Sequence, residues 1–327
     1  MKLSDNTKIK DLKKTAAFGE AGQYLVYYSG IVGHLIYDNL KIADVQEKHG
    51  WNRDSVEYGL DRLAKAANSG KFLYHVYADE DCREDKQKQN VNIMFFPKTQ
   101  DCGDKPFIVI CAGGAFEAVC SISEGIPIAA RFNEMGYDAF VVTYRVGGQN
   151  VMPHAHDDLV ASLRYIFRNR EEFGVGEDYV LCGFSAGAYL ISTFGTDNLG
   201  YSVYDLPKPK ALIPVYAFID IRLCGDNLLQ KTIQRVMFGG NVPQETLDQY
   251  DIRRHLDGYP PCYILCGAAD RTVPPENSQI LQKCLAERGI PNAFEMGDGV
   301  DHGFGEGRGT PLEGWLKRTD AFLSSLD

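Results

Sequence analysis

No stretch of this chain approaches the ~20 consecutive apolar residues that a membrane-crossing helix needs. The opening residues, MKLSDNTKIKDLKK, hold no apolar core of a signal peptide. Both absences predict a cytoplasmic protein with no membrane partner. Positive charge is also in short supply: 34 Lys and Arg stand against 44 Asp and Glu, a formal net charge of −10. Nucleic-acid binding rests on clustered cations that displace counterions, so no nucleic-acid partner is expected. Repeats and low-complexity tracts are missing, which excludes solenoids and disordered linkers. The nine cysteines are odd in number, and Cys111, Cys182, Cys262 and Cys266 stand inside apolar runs, where a thiol behaves as a small hydrophobe. A disulfide framework is therefore not expected. Cys262 and Cys266 have no second Cys or His pair at ligand spacing, so no metal is expected either.

What is present suits a large α/β domain: 327 residues, 44% hydrophobic and 24% charged, can bury a sizeable core. From Phe72 onward short apolar runs alternate with helical patterns. The runs are FLYHVY (72–77), VNIMFF (91–96), FIVICA (107–112), DAFVVTY (138–144), DYVLCGF (178–184), ALIPVY (211–216), CYILCG (262–267) and AFEM (293–296). Several are apolar at consecutive positions, as strands covered on both faces must be. Helix candidates lie between them at about 124–135, 153–170, 185–195, 275–289 and 312–325. This alternation predicts a mostly parallel eight-stranded sheet with helices on both faces. The charged link ADEDCREDKQKQN is too short for a crossover helix, so the first two strands are expected to pair as an antiparallel hairpin at one edge.

Residues 1–70 differ in character and are expected to form an N-terminal helical cap segment, with the catalytic domain spanning 71–327 and a further cap insertion at about 217–258. DSVEYGLDRLAKAANSG reads as a helix: Asp54 can cap it, Glu57 stands three residues on as in a capping box, and Gly70 ends it. The aromatic run from Tyr24 to Tyr37 is a candidate for one side of a pocket.

The chemistry centres on LCGFSAGAYL, 181–190. A G-x-S-x-G match alone is weak, since chance supplies ~0.1 such matches in a chain of this composition. Its setting is informative: an apolar strand enters Gly183 and a helix former follows Ser185. In a strand-to-helix elbow the serine takes a strained backbone conformation, and Gly183 and Gly187 avoid collisions around it. A serine hydroxyl needs a base, and in this arrangement the chain order is Ser, acid, His. Of seven histidines (34, 49, 75, 154, 156, 255 and 302), His302 alone lies beyond the next qualifying acid. Asp270, three residues past the strand CYILCG, is that acid; Asp298 and Asp301 are nearby alternatives that follow a different strand. The third requirement is an oxyanion hole of backbone amides. Ala186 supplies one candidate donor, and Gly114 and Ala115, in the loop CAGGAF after the third strand, supply the others. Phe116 and Phe304 are candidate pocket walls. Arg145 with Asp157 or Asp158 reads as an ion pair and a helix cap rather than catalytic machinery.

The segments GGAF, EGIPIAARFNEMGYDAFVVTYRVG, GFSAGAYL, AADRTVP and HGFGEGRGTPLEGW resemble α/β-hydrolase esterases related to hormone-sensitive lipase, particularly the bacterial group that includes acetylxylan and feruloyl esterases. The resemblance covers about 90–327. It implies an α/β-hydrolase fold and serine esterase chemistry, with nucleophile, acid and base at Ser185, Asp270 and His302. Many relatives open the oxyanion loop with His-Gly-Gly-Gly, whereas this chain has Ala112-Gly113-Gly114-Ala115, so a loop-ordering hydrogen bond is lost.

The expected activity is that of a serine carboxylic-ester hydrolase acting on short-acyl esters, including O-acetylated carbohydrates, through an acyl-enzyme and without metal or organic cofactor. A prolyl-oligopeptidase-like peptidase is the nearest rival, but such enzymes carry a larger additional domain than 70 residues allow. A DNA-binding regulator is a third reading, because LKIADVQEKHGWNRDSVEYGLDRLAKAANSG has a helix-turn-helix cadence. Against it, residues 1–70 hold ten Lys or Arg and nine Asp or Glu, too balanced for a basic docking face.

Overall fold

All eight apolar runs are strands of one sheet: β1 (Leu73–His75), β2 (Asn92–Phe96), β3 (Phe107–Cys111), β4 (Ala139–Thr143), β5 (Tyr179–Phe184), β6 (Ala211–Val215), β7 (Cys262–Gly267) and β8 (Asn292–Gly297). The structure is a computed structural model that describes residues 2–100, 102–224 and 228–326. The spatial order is β8-β7-β6-β5-β3-β4-β2-β1. Strands β3 to β8 are mutually parallel, and β2 runs antiparallel to both β1 and β4. The edge hairpin is therefore present, and β2 is the strand that opposes the rest.

Successive side chains of a strand point to opposite faces, and β5 shows why its run is apolar throughout. Tyr179 meets Phe167 of the helix Val151–Arg168 on one face, with ring centroids 5.4 Å apart. Phe184 meets Trp315 of the helix Trp315–Ser324 on the other, at 6.2 Å. The principal helices are α1 (Arg53–Ser69), α2 (Ile126–Glu134), α3 (Val151–Arg168), α4 (Ala186–Phe194), α5 (Glu276–Glu287) and α6 (Trp315–Ser324). Behind the sheet, Arg145 clasps Asp158 with contacts of 2.7–3.0 Å, and Asp158 is fully buried. Burial of that carboxylate is offset by these charge-assisted bonds.

Residues 1–70 share the core of the rest. Ile9, Phe18, Leu25, Val26, Val45 and Val56 are completely buried in the same hydrophobic cluster as the sheet. Helix α1 turns Val56, Leu60 and Leu63 inward and lies flush on α2, where a Cβ at Gly59 would come within 2.8 Å of Pro127. Its cap is Asn52, whose side chain accepts from the Ser55 amide at 3.1 Å. Asp54, expected as the cap, stands inside the helix, and Glu57 is engaged by the Leu3 amide and by Arg53. A two-residue ribbon pairs Tyr27–Tyr28 with Ala118–Val119. Part of the 217–258 insertion, residues 225–227, lies outside the described residues. Around it, Arg222 and Arg253 both grip buried Asp220 and Asp251. No described helix is long and apolar enough to cross a membrane.

Candidate active site

Ser185 occupies the turn between β5 and α4 with φ 51° and ψ −117°, a conformation that costs an L-residue free energy and persists where the surroundings over-determine it. Two glycines make room for it. A Cβ at Gly183 would meet the Gly187 carbonyl oxygen at 2.4 Å, and one at Gly187 would meet the Cys111 carbonyl oxygen at 2.1 Å. The Ser185 amide is pinned to Val215 at the end of β6.

Asp270 and His302 reach the serine from the ends of β7 and β8. His302 Nε2 lies 2.9 Å from Ser185 Oγ, and His302 Nδ1 lies 2.7 Å from Asp270 Oδ2. The other oxygen of Asp270 accepts from the amides of Thr272 and Val273 at 2.9 and 2.8 Å, which aims the buried carboxylate. Asp301 braces the site without joining this line, since its Oδ1 accepts from the amides of His302 and Arg271 and so ties the two loops together. Asp298 is exposed. The ring of Tyr216 rests 4.6 Å from that of His302.

Gly114 and Ala115 border the serine, with φ of 137° and 56°. Among the described residues the amides of Gly114, Ala115 and Ala186 donate to no protein acceptor. Phe116 and Phe304 stand elsewhere than expected. Positive φ at Ala115 and Phe116 turns the Phe116 ring down into the core against Tyr144, where it is completely buried. Phe304 packs edge-on to the ring of Tyr216 at 4.8 Å.

The walls of the cavity, about 600 Å³, come instead from the N-terminal segment, through Tyr37, His49 and Trp51. The rings of Tyr37 and Trp51 are stacked within 2° of parallel, with His49 tilted against both. Burial lowers the pKa of His49 and raises that of Tyr37 well above its ordinary value, so both prefer the neutral form. Of the Tyr24–Tyr37 run, Tyr37 lines the cavity; Ile31 and Leu35 point to solvent. No described residue of 217–258 lines it. The role of His49 and Trp51 had no periodic or spacing signal in the sequence, since they meet the site through long-range packing.

A sequence model of the BD-FAE family matches residues 93–285, more than half of the chain. The chain belongs to that family. BD-FAE proteins are α/β-hydrolase esterases, and this one is an ester hydrolase of that fold. The matched region includes Ser185 and Asp270 and stops short of His302 and of the aromatic wall. The chain is also 27% identical over 239 residues to endo-1,4-beta-xylanase B of Butyrivibrio fibrisolvens, a match covering 68% of this chain and 36% of the relative. It thus spans about a third of that protein. Among solved structures, an acetyl ester-xyloside bifunctional hydrolase of Caldicellulosiruptor lactoaceticus superposes with TM-score 0.66 at 19% identity, over 78% of this chain and 96% of that one. The carboxylesterase Cest-2923 of Lactobacillus plantarum WCFS1 gives TM-score 0.55 at 24% identity, over 65% and 79%. At these identities the shared property is the fold.

Proposed function

We propose that this BD-FAE protein is a serine carboxylic-ester hydrolase for short acyl groups, with Ser185 as nucleophile, His302 as base and Asp270 as its orienting acid. The observation that carries the reading is the hydrogen-bonded line from Ser185 Oγ through His302 to Asp270, at 2.9 and 2.7 Å, on a strained elbow. His302 takes the Ser185 proton as Oγ attacks the ester carbonyl. The amides of Ala186, Gly114 and Ala115 receive the developing oxyanion. His302 then protonates the leaving alcohol, and water, deprotonated by the same imidazole, releases the acid from the acyl-enzyme.

Ala115 places a methyl beside the oxyanion loop and keeps the acyl side shallow; each methylene left unburied forgoes ~0.8 kcal/mol, about fourfold in kcat/KM. Phe116, turned into the core, has no part in this limit. Two structural relatives agree in kind: one is named for an acetyl ester and one, from Thermogutta terrifontis, has propionate bound. The wide aromatic wall receives the alcohol, for which an O-acetylated xylo-oligosaccharide is the leading candidate given the xylanase relative. An ester panel tests this, running from acetyl to decanoyl and from aryl alcohols to acetylated xylo-oligosaccharides. The expected kcat/KM is highest for acetyl to butyryl. Faster turnover of octanoyl or longer esters refutes the short-acyl limit, and reaction with peptides alone establishes the peptidase reading.

A further inference from the structure

The oxyanion loop lacks the histidine with which many related esterases open it, yet it is held from below. Glu124 ends the one-turn helix Ser121–Glu124 and turns its side chain back under the loop. Its Oε2 accepts from the Gly113 amide at 2.7 Å, and its Oε1 accepts from the Tyr216 hydroxyl at 2.7 Å. The residue is 4% exposed, and a carboxylate so buried is costly unless its oxygens are filled. Burial pushes the Glu124 carboxyl up, while Tyr216, Gly113 and the charge of His302 oppose that push. Glycine at 113 leaves the room: a Cβ there would lie 2.9 Å from Glu124 Oε2 and 2.8 Å from Ser185 Cβ. Above the carboxylate the loop closes on itself, Cys120 N to Gly113 O and Ala118 N to Gly114 O, both at 2.9 Å. Tyr216, bonded to the other oxygen, is the ring that rests against His302.

We propose that Glu124 is a positioning residue that replaces the missing loop histidine: it anchors Gly113, so that the amides of Gly114 and Ala115 face the oxyanion, and it steadies the Tyr216 ring beneath His302. The inference rests on the serine-esterase reading. A carboxylate here acts as an acceptor for the loop's own amide, so the loop is ordered by a group 11 residues further along the chain.

The test compares wild type, Glu124→Ala, Glu124→Gln and Tyr216→Phe on an aryl acetate. Two inhibitors accompany it: a trifluoromethyl ketone, which adds to the serine and generates an oxyanion, and the corresponding secondary alcohol, which cannot. Glu124→Ala is expected to lower kcat ~10²-fold, the scale of losing one oxyanion donor, with KM within about threefold. The trifluoromethyl ketone should weaken by the same factor as kcat/KM, and the alcohol should bind as before. Glu124→Gln keeps an acceptor for Gly113 and should restore most of the loss. Should Glu124→Ala not fold, Tyr216→Phe decides, with an expected kcat loss of about three- to tenfold and the same split between inhibitors. An active wild type whose folded variants keep kcat within about twofold, or whose two inhibitors weaken together, overturns this inference alone. A wild type inert towards the whole ester panel overturns the esterase reading and this inference with it.

Discussion

On one side of the cavity the proposed reacting groups hang from the ends of β3, β5, β7 and β8, where backbone geometry leaves almost no freedom. Ala115, Phe116, Ser185 and Tyr216 all have positive φ, and Gly113, Gly114, Gly183 and Gly187 each stand where a Cβ would strike a neighbour. On the other side, Tyr37, His49 and Trp51 form a wall of stacked side chains from a segment that the family match leaves out. The first side is fixed by backbone contacts; the second is built from side-chain rings. On the proposed function, chemistry and selectivity then belong to different parts of the chain. They meet at several places, among them Tyr37 on Cys120 and the turn beside His302. A Cβ at Gly50 would lie 2.6 Å from the His302 carbonyl oxygen, and one at Gly303 would lie 2.4 Å from that of His49.

The largest effects should come from the strand-end side. Ser185→Ala or His302→Ala should lower kcat on an aryl acetate at least ~10³-fold, with an unchanged circular dichroism spectrum and melting curve. Substantial activity in either variant would remove the distinction between the two sides. At the turn beside His302, Gly50→Ala adds a methyl against the His302 loop at a residue whose φ is 72°. It should lower kcat about tenfold, because small displacements of a base are costly, and it should lower Tm as well; unchanged kcat would show that the two sides are mechanically independent. Within the wall, Trp51→Leu should shift the ratio of kcat/KM between acetylated oligosaccharide and aryl acetate by about fivefold. Equal losses on both substrates would assign Trp51 to the fold instead of to selectivity.

The smallest effect on rate at neutral pH belongs to His156, which lies on α3 beside α4, 5.8 Å from Phe194. Burial lowers its pKa from 6.5 to about 4, and its Nε2 has no partner among the described residues. The unfolded chain therefore takes up a proton below pH 6.5 that the folded chain refuses until about pH 4. Stability falls as pH drops through that window, by about 3 kcal/mol in all, and the His156 contribution is constant above and below it. Urea midpoints measured from pH 7 to pH 4 should show less decline in His156→Phe than in wild type. An identical decline would mean that other groups control the acid sensitivity.

The strands were legible because burial on both faces writes itself into consecutive residues, and the Ser185 elbow because its glycines are local necessities. Chain order singles out Asp270 and His302, and the structure brings them within hydrogen-bonding distance of each other and, through His302, of Ser185. What the sequence did not disclose depends on contacts made far along the chain. Phe116 reads as a pocket wall by adjacency, but two residues of positive φ reverse its direction. Asn52 caps α1 in place of Asp54 because the helix begins two residues earlier than that cap implies. Glu124, at the start of a helix candidate, gives no local signal of its role, because the Tyr216 that shares its carboxylate lies 92 residues away.

The fit of Gly50 against the His302 loop also has a meaning in time. Beside it, the Ser55 hydroxyl donates to buried Glu306 at 2.7 Å, across 251 residues of sequence. Contacts of such separation carry a large loop-closure cost and form after local structure. During refolding the elbow at Ser185 and its strand can assemble from neighbouring segments, while the imidazole gains its seat only when the two ends of the chain meet. Recovered activity should then lag recovered helix and strand signal, with enzyme competence as the last property the folding chain acquires.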